Sequence, residues 1–159
     1  MRGRCDPNEF PAGPLHPVGT VAGVSWTCPE CHRTFGRTRQ GHECAPAMSL
    51  DEYFATGPER ERPIWEAVAA HLDTLGPVVV EPVSVGILVK RSRTFLELRP
   101  KVKWEAVSFS LDREVDHPRI ARKMRTPRWT YHVVNVTEAA EIDDQVREWL
   151  TESYLSCPE

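Results

Sequence analysis

The sequence lacks the features that would place it outside the ordinary soluble proteins. No apolar run approaches the roughly 20 residues that a helix needs to cross a bilayer, and no apolar segment follows the first residues as it would in a secretory signal. The five cysteines are an odd number, which argues against a complete disulfide framework. These absences predict a cytoplasmic protein without a membrane partner.

Motifs of common catalytic chemistry are also missing. The chain has no serine-nucleophile motif, no glycine-rich loop that would cradle a phosphate and no signature of paired carboxylates. It has neither an internal repeat nor a low-complexity segment. With 159 residues, of which 40% are hydrophobic and 27% charged, it suits one compact domain with a small appendage.

The distribution of proline, glycine and cysteine predicts three regions. Residues 1–24 hold four prolines and four glycines without any helical or strand period, which predicts a disordered or loosely docked leader. Residues 25–46 contain most of the cysteines and predict a small zinc finger. Residues 47–155 are enough to bury a core of their own, and we expect them to form the main domain.

The cysteines and histidines of the second region have the spacing of a metal site. Cys28 and Cys31 are separated by two residues, ten residues separate Cys31 from His42, and one residue separates His42 from Cys44. Three thiolates and one imidazole suit a tetrahedral, structural Zn²⁺ with no open position for a catalytic water. His32 is a rival fourth ligand, but it adjoins Cys31, and neighbouring residues rarely reach one ion together. Free, reduced cysteines are the alternative, although so short a segment has few other ways to become ordered.

Hydrophobic periodicity predicts an α+β main domain. Ser49 and Glu52 form a capping box before a short helix, and a second helix is expected over residues 58–75. Five strands follow by alternation, the second over residues 83–89, with residues 112–128 as a long basic connection between the last two. A helix over residues 139–154 completes the order α-α-β-β-β-β-β-α. Short links predict a mainly antiparallel five-stranded sheet with the helices on one face.

Charge is distributed unevenly along the chain. Residues 87–132 hold 12 lysines and arginines against five acidic residues, although the whole chain has a formal net charge of −3. Such a block predicts either an anionic partner or a solvated face whose charges pair with acidic helices. The candidate anion-binding residues are Arg91, Arg93, Lys101, Lys103, Arg119 and Arg128.

Three functional hypotheses follow from these patterns. The first is a non-enzymatic zinc-containing binding or regulatory protein whose basic surface takes nucleic acid or a nucleotide-like metabolite. The second is a small enzyme on an anionic metabolite, in which Arg119 and Arg128 clamp the substrate and His132 moves a proton, with His117 as a weaker candidate. The third is a scaffold that docks a partner protein through the finger. Salt-dependent binding would favour the first.

Several short motifs resemble a known family. Trp26, Phe35 and Gln40 surround the cysteines and histidine as they do in a small finger that precedes a bacterial domain of unknown function, the family numbered 5655. In the main domain the resemblance rests on the order of four segments, Leu75-Gly76-Pro77-Val78, Phe95-x-x-Leu98-x-Pro100, His117-Pro118-Arg119-Ile120 and Trp149-Leu150-x-x-x-Tyr154. It covers about residues 26–154 and implies a boundary between finger and domain, but no activity.

Overall fold

The computed structural model describes residues 26–35, 38–39, 41–42, 44 and 48–158. The chain divides into two compact units, Met1–Ala47 and Met48–Glu159, which we call the N-terminal unit and the body. The predicted leader over residues 1–24 lies outside the described residues. Among the helices that are described, none combines the length and the apolar character that crossing a membrane requires.

The N-terminal unit contains a two-stranded antiparallel sheet. Its strands are β1 (Trp26–Thr27) and β2 (Thr34–Phe35), and Trp26 lies opposite Phe35. The turn between the strands carries Cys28 and Cys31. Residues 26–35 therefore form a short hairpin that presents these two side chains.

Three helices belong to the body. They are α1 (Leu50–Phe54), α2 (Glu61–Leu72) and α3 (Asp144–Leu155). The predicted capping box is present, since the Ser49 hydroxyl accepts from the backbone N–H of Glu52, and the Glu52 carboxylate accepts from the backbone N–H of Ser49. Gly76 has a φ of +139°, a conformation open to glycine, and lets the chain leave α2.

The last helix begins later than its periodicity predicts. Residues Ala139–Glu141 form a separate 3-10 helix, and α3 begins only after Asp143. The Asp143 carboxylate accepts from the backbone N–H of Val146 at 3.0 Å, which fixes this start. The apolar residues from Ile142 onward follow a single helical period, so the sequence gives no sign of the break between the 3-10 helix and α3.

Six strands form one antiparallel sheet in the order β3-β4-β5-β6-β8-β7. The strands are β3 (Val79–Val83), β4 (Gly86–Lys90), β5 (Thr94–Pro100), β6 (Glu105–Leu111), β7 (Ile120–Arg125) and β8 (Thr130–Val136). The α+β class and the antiparallel sheet are confirmed. The predicted second strand over residues 83–89 is divided, because Val83 ends β3 and pairs with Gly86 at the start of β4.

The predicted count of five strands is wrong, because the long basic connection contains β7. This strand pairs only with β8, and five of its six residues are exposed. An edge strand that buries few side chains shows no alternation of apolar residues in the sequence. Charged side chains, here Arg122, Lys123 and Arg125, keep such an edge from pairing with other chains. The run of charged residues that predicted a loop therefore belongs to an edge strand, where the charges oppose pairing with another chain.

All three helices contribute to one core on one face of the sheet. Val107, Phe109 and Leu111 of β6 point to this inner face, where the Phe109 ring stacks on Trp149 of α3 with centroids 5.7 Å apart. Ile64 of α2 and Tyr53 of α1 belong to the same buried cluster. The opposite side of the sheet, which we call the outer face, is where alternation places the other residues of each strand.

Candidate functional site

Four side chains of the N-terminal unit meet at one point. The ligand atoms of Cys28, Cys31, His42 and Cys44 all lie within 4.8 Å of one another. The His42 Nε2 atom lies 3.2 Å from the Cys31 sulfur and 3.4 Å from the Cys44 sulfur, and the sulfurs of Cys28 and Cys44 are 3.8 Å apart. The four residues selected by spacing are therefore close enough to share one metal ion.

The turn between β1 and β2 places the first two sulfurs. The backbone N–H of Cys28 donates to the carbonyl of Arg33 at 2.9 Å, and the N–H of His32 donates to the carbonyl of Cys28 at 2.9 Å. His32 closes this turn with a φ of +57° and its side chain is exposed. The ring of the rival ligand therefore lies outside the cluster.

Two aromatic side chains support the fourth ligand. The ring of His42 lies 4.1 Å from that of Phe35 and 5.9 Å from that of Trp26, centroid to centroid. Phe35 is buried together with Cys28 and Cys31. The aromatic pair therefore forms the only apolar backing that the described part of this unit gives to the ligands, and it fixes the imidazole beside the sulfurs.

The donor set suits a borderline-soft metal. Burial opposes ionisation of both cysteines of the turn. At Cys28, hydrogen bonds from the backbone of Cys31 and Glu30 outweigh burial and lower the pKa of the thiol, whereas burial raises the pKa of the Cys31 thiol. Thiolates and a neutral imidazole in a compact, part-buried group are the ligands of closed structural sites. The Cys44 sulfur is disulfide-bonded in this structure, so the residues present fit a tetrahedral ion once Cys44 is reduced.

Three of the six basic residues predicted to bind an anion are engaged within the body. Arg91 donates to the carbonyl oxygen of Cys157 at 2.8 Å. Arg93 donates to the Ser110 hydroxyl at 2.6 Å and lies over the ring of Trp129. Arg119 pairs with the carboxylate that caps α3. Arg91 and Arg119 thus connect turns of the sheet to the C-terminal residues and the start of α3, whereas Arg93 connects the β4–β5 turn to β6.

The other three are exposed and have no ion-pair partner within the described ranges. Lys101 and Lys103 lie in the β5–β6 turn, whereas Arg128 lies in the β7–β8 turn at the opposite end of the sheet. The predicted set of six therefore does not converge on one pocket.

A different set of polar residues shares the outer face. Strand register aligns Arg99 with Asn135 across β6, and aligns Ser108 with Arg122 across β8. Tyr131 lies two residues before Val133 on β8 and points to the same side. Arg99, Arg122 and Asn135 are exposed, so this face combines basic, amide and aromatic groups across four strands.

The structure contradicts the catalytic role considered for His132. Its side chain is fully buried, stacks on Phe109 at 5.8 Å, and accepts at Nε2 from the backbone N–H of Val115 at 2.9 Å. Burial lowers the pKa of this imidazole, so the ring is a neutral part of the core. Arg119 and Arg128 flank opposite ends of β7, and the proposed clamp is not assembled. His117 packs edge-on against Trp149.

Sequence reasoning missed one polar cluster in the body. Glu61 and Glu105 are each only 2% exposed, and Tyr53 is 6% exposed. Their positions carried a signal, because Glu61 continues the apolar stripe of α2 by a helical step, and Glu105 has the same strand parity as Val107. Carboxylates are rarely buried, so residue type alone would place Glu105 on the solvent side, against its strand parity.

Comparison with known proteins identifies the body. The sequence model of a family described as "Domain of unknown function (DUF5655)" matches residues 50–156. No curated protein matches, and no solved structure matches.

Proposed function

We propose that this chain, which belongs to the DUF5655 family, is a non-enzymatic binding protein that carries a structural zinc ion and contacts an anionic ligand through the outer face of its sheet. The ligand class is a phosphate-bearing molecule, either nucleic acid or a nucleotide-like metabolite. The observation that carries the proposal is that exposed Arg99 and Arg122 lie on the same sheet face as Tyr131.

Side-chain chemistry supports this use of the outer face. Guanidinium groups bind phosphate oxygens in a bidentate manner, and an aromatic ring offers a stacking surface to a base. Arg122 has no ion-pair partner in the described part of the chain, whereas Arg99 pairs with Glu97. Lys101, Lys103 and Arg128 border the same face at its two ends and extend its positive charge.

Zinc is the metal that the ligand chemistry favours. Three sulfurs and one imidazole match the ligands of structural zinc, and four protein ligands leave no position for substrate. Cys28, Cys31, His42 and Cys44 would hold the ion. Its contribution would be to cross-link a segment with very little apolar surface to bury, which supports a structural rather than a catalytic role.

Binding to a labelled single-stranded oligonucleotide, followed by fluorescence anisotropy at several salt concentrations, tests the proposed ligand. Affinity should fall steeply as salt rises, because phosphate contacts release counterions. Arg122→Ala and Arg128→Ala should each weaken binding and reduce the slope of log K against log salt by about one.

Arg113→Ala is the matched control, since it removes the same charge from an exposed arginine that pairs with Glu152 of α3 on the helix side. Competition by a free mononucleotide would show that the site takes a small ligand, whereas failure to compete favours a polymer. A salt-independent affinity, or equal losses in Arg113→Ala and Arg122→Ala, would contradict the proposal.

A further inference from the structure

A buried polar cluster joins the corner between α1 and α2 to the sheet. Glu61 begins α2, Glu105 begins β6 and Tyr53 lies in α1, and all three side chains are more than nine-tenths buried. Arg60 immediately precedes α2 and donates to the carbonyl oxygens of Lys101 and Trp104 in the β5–β6 turn. The cluster therefore connects three separate elements of the body.

The polar atoms of this cluster are incompletely hydrogen-bonded among the described residues. The Oε2 atom of Glu105 and the Nε atom of Arg60 are buried and unpaired, and the Tyr53 hydroxyl and the Glu61 carboxylate have only each other as partners. A buried polar atom without a partner is costly, and a buried charge without one is more so. If both carboxyl groups were ionised, the cluster would therefore hold buried negative charge without enough hydrogen-bond donors.

Charge counting identifies what is missing. Two carboxylates and one guanidinium leave one negative charge uncompensated in a buried place. Arg60 already supplies the cation, and the Lys101 side chain, which also lies in the neighbouring turn, is exposed to solvent. One additional proton would neutralise the cluster and supply a donor to an orphan carboxylate oxygen.

We propose that Glu61 and Glu105 hold one proton between them in the folded body, and that this proton fastens the α1–α2 corner to the start of β6. When the proton leaves, two like charges face each other in the cluster and the corner loosens. The site is thus a proton-binding site and makes the stability of the body sensitive to pH near neutrality.

The electrostatics of the cluster agree with this assignment. Burial, and then the charge of Glu61, raise the pKa of Glu105 to about 7, against the opposing effects of Arg60 and Lys101. Burial also raises the pKa of Glu61. Burial and both carboxylates raise the pKa of Tyr53, so its hydroxyl keeps its proton. Because the two carboxyl groups interact, the titration belongs to the pair.

Gly57 places the Glu61 carboxylate in the cluster. A Cβ atom at this glycine would lie 2.0 Å from the Oε2 atom of Glu61. Alanine at position 57 would therefore push the carboxylate aside, which a flexible side chain can accommodate, without removing any titratable group. Gly57→Ala therefore tests the position of the Glu61 carboxylate while leaving the carboxylate itself in the chain.

Denaturant unfolding of the full chain between about pH 5 and pH 8 tests the proposal. The folded state binds a proton that the unfolded state has released, so the unfolding equilibrium constant should rise by up to about tenfold per pH unit from about pH 5 to about pH 7 and then level off. Glu105→Gln should lose this component. Glu66→Gln, an exposed carboxylate of the same helix, should retain it.

Carboxyl-carbon NMR of the wild-type chain gives a readout that does not depend on any variant folding. One glutamate carboxyl group should titrate near pH 7, and Gly57→Ala should move this titration toward the ordinary range. The proposal is overturned if every glutamate titrates in the ordinary acidic range, or if the wild type and Glu105→Gln show the same pH dependence of unfolding.

Discussion

The N-terminal unit and the body are stabilised in different ways. Among the described residues, the buried cluster of the N-terminal unit consists of Cys28, Cys31 and Phe35, whereas that of the body contains 22 residues. Three buried side chains offset little of the conformational entropy of ordering the described part of this unit, and a metal cross-link would add to its stability. The body can be ordered by packing alone.

The two units also treat buried polar atoms differently. In the N-terminal unit four potential ligand side chains converge on one point, where a single metal ion could satisfy them together. In the body buried polar atoms are satisfied one at a time, as when the Ser153 hydroxyl donates to the carbonyl of Ser110 at 2.7 Å. Glu61 and Glu105 are among the exceptions within the body, and by our proposal they resemble the Cys/His group in sharing one ion, here a proton.

Removal of a metal ligand should have the largest effect. We expect Cys28→Ser and Cys44→Ser, in reduced protein, each to lose about one equivalent of zinc, because the remaining three ligands no longer close the shell. Residues 26–44 should become disordered, and the unfolding midpoint of the body should not change. Metal content by mass spectrometry and backbone NMR measure the two results.

Cys157→Ala is the control for these variants, because Cys157 is buried in the body and lies outside the ligand group. It should retain the metal. Full retention of zinc by both ligand variants would break the comparison, and so would loss of body stability along with the ion.

A cavity in the core should have the next largest effect and should be confined to the body. Phe109→Ala removes a ring that is fully buried and stacked between His132 and Trp149. We expect the free energy of unfolding to fall by about 3–5 kcal/mol, with metal content unchanged. Urea unfolding followed by tryptophan fluorescence measures the loss.

Val102→Ala is the matched truncation at a side chain that is 94% exposed, and it should change stability by no more than about 0.5 kcal/mol. If Phe109→Ala also released the metal, the two units would not be independent in stability.

Loss of a helix cap should have the smallest effect of the three. Ser49→Ala removes the hydroxyl that accepts from the first turn of α1, and the cost should be about 1 kcal/mol. Ser49→Thr keeps the hydroxyl and should recover most of the stability, as measured by the same urea titration. An alanine variant as stable as the wild type would show that α1 is held only by its packing.

Local rules explain which parts of the structure were predictable. The capping box at Ser49 and the Cys28–Cys31 turn depend on residues within a few positions of one another, so their spacing in the sequence is their spacing in space. The alternation in β6 and β8 is equally local. The edge strand β7 was not predicted, because its charged residues reflect its position at the edge of the sheet, where no further described strand pairs with it. The order of the strands in the sheet sets that position.

By itself the sequence determined the ligand group and the α+β class, because both depend on residue type and short-range spacing. Only the tertiary structure decided that His132 is a core residue, that the six basic candidates lie at different ends of the sheet, and that Glu61 and Glu105 are both buried. Each of these results depends on how residues tens of positions apart in the sequence pack together. Burial and electrostatic environment follow from how strands and helices pack, and no local pattern contains that information.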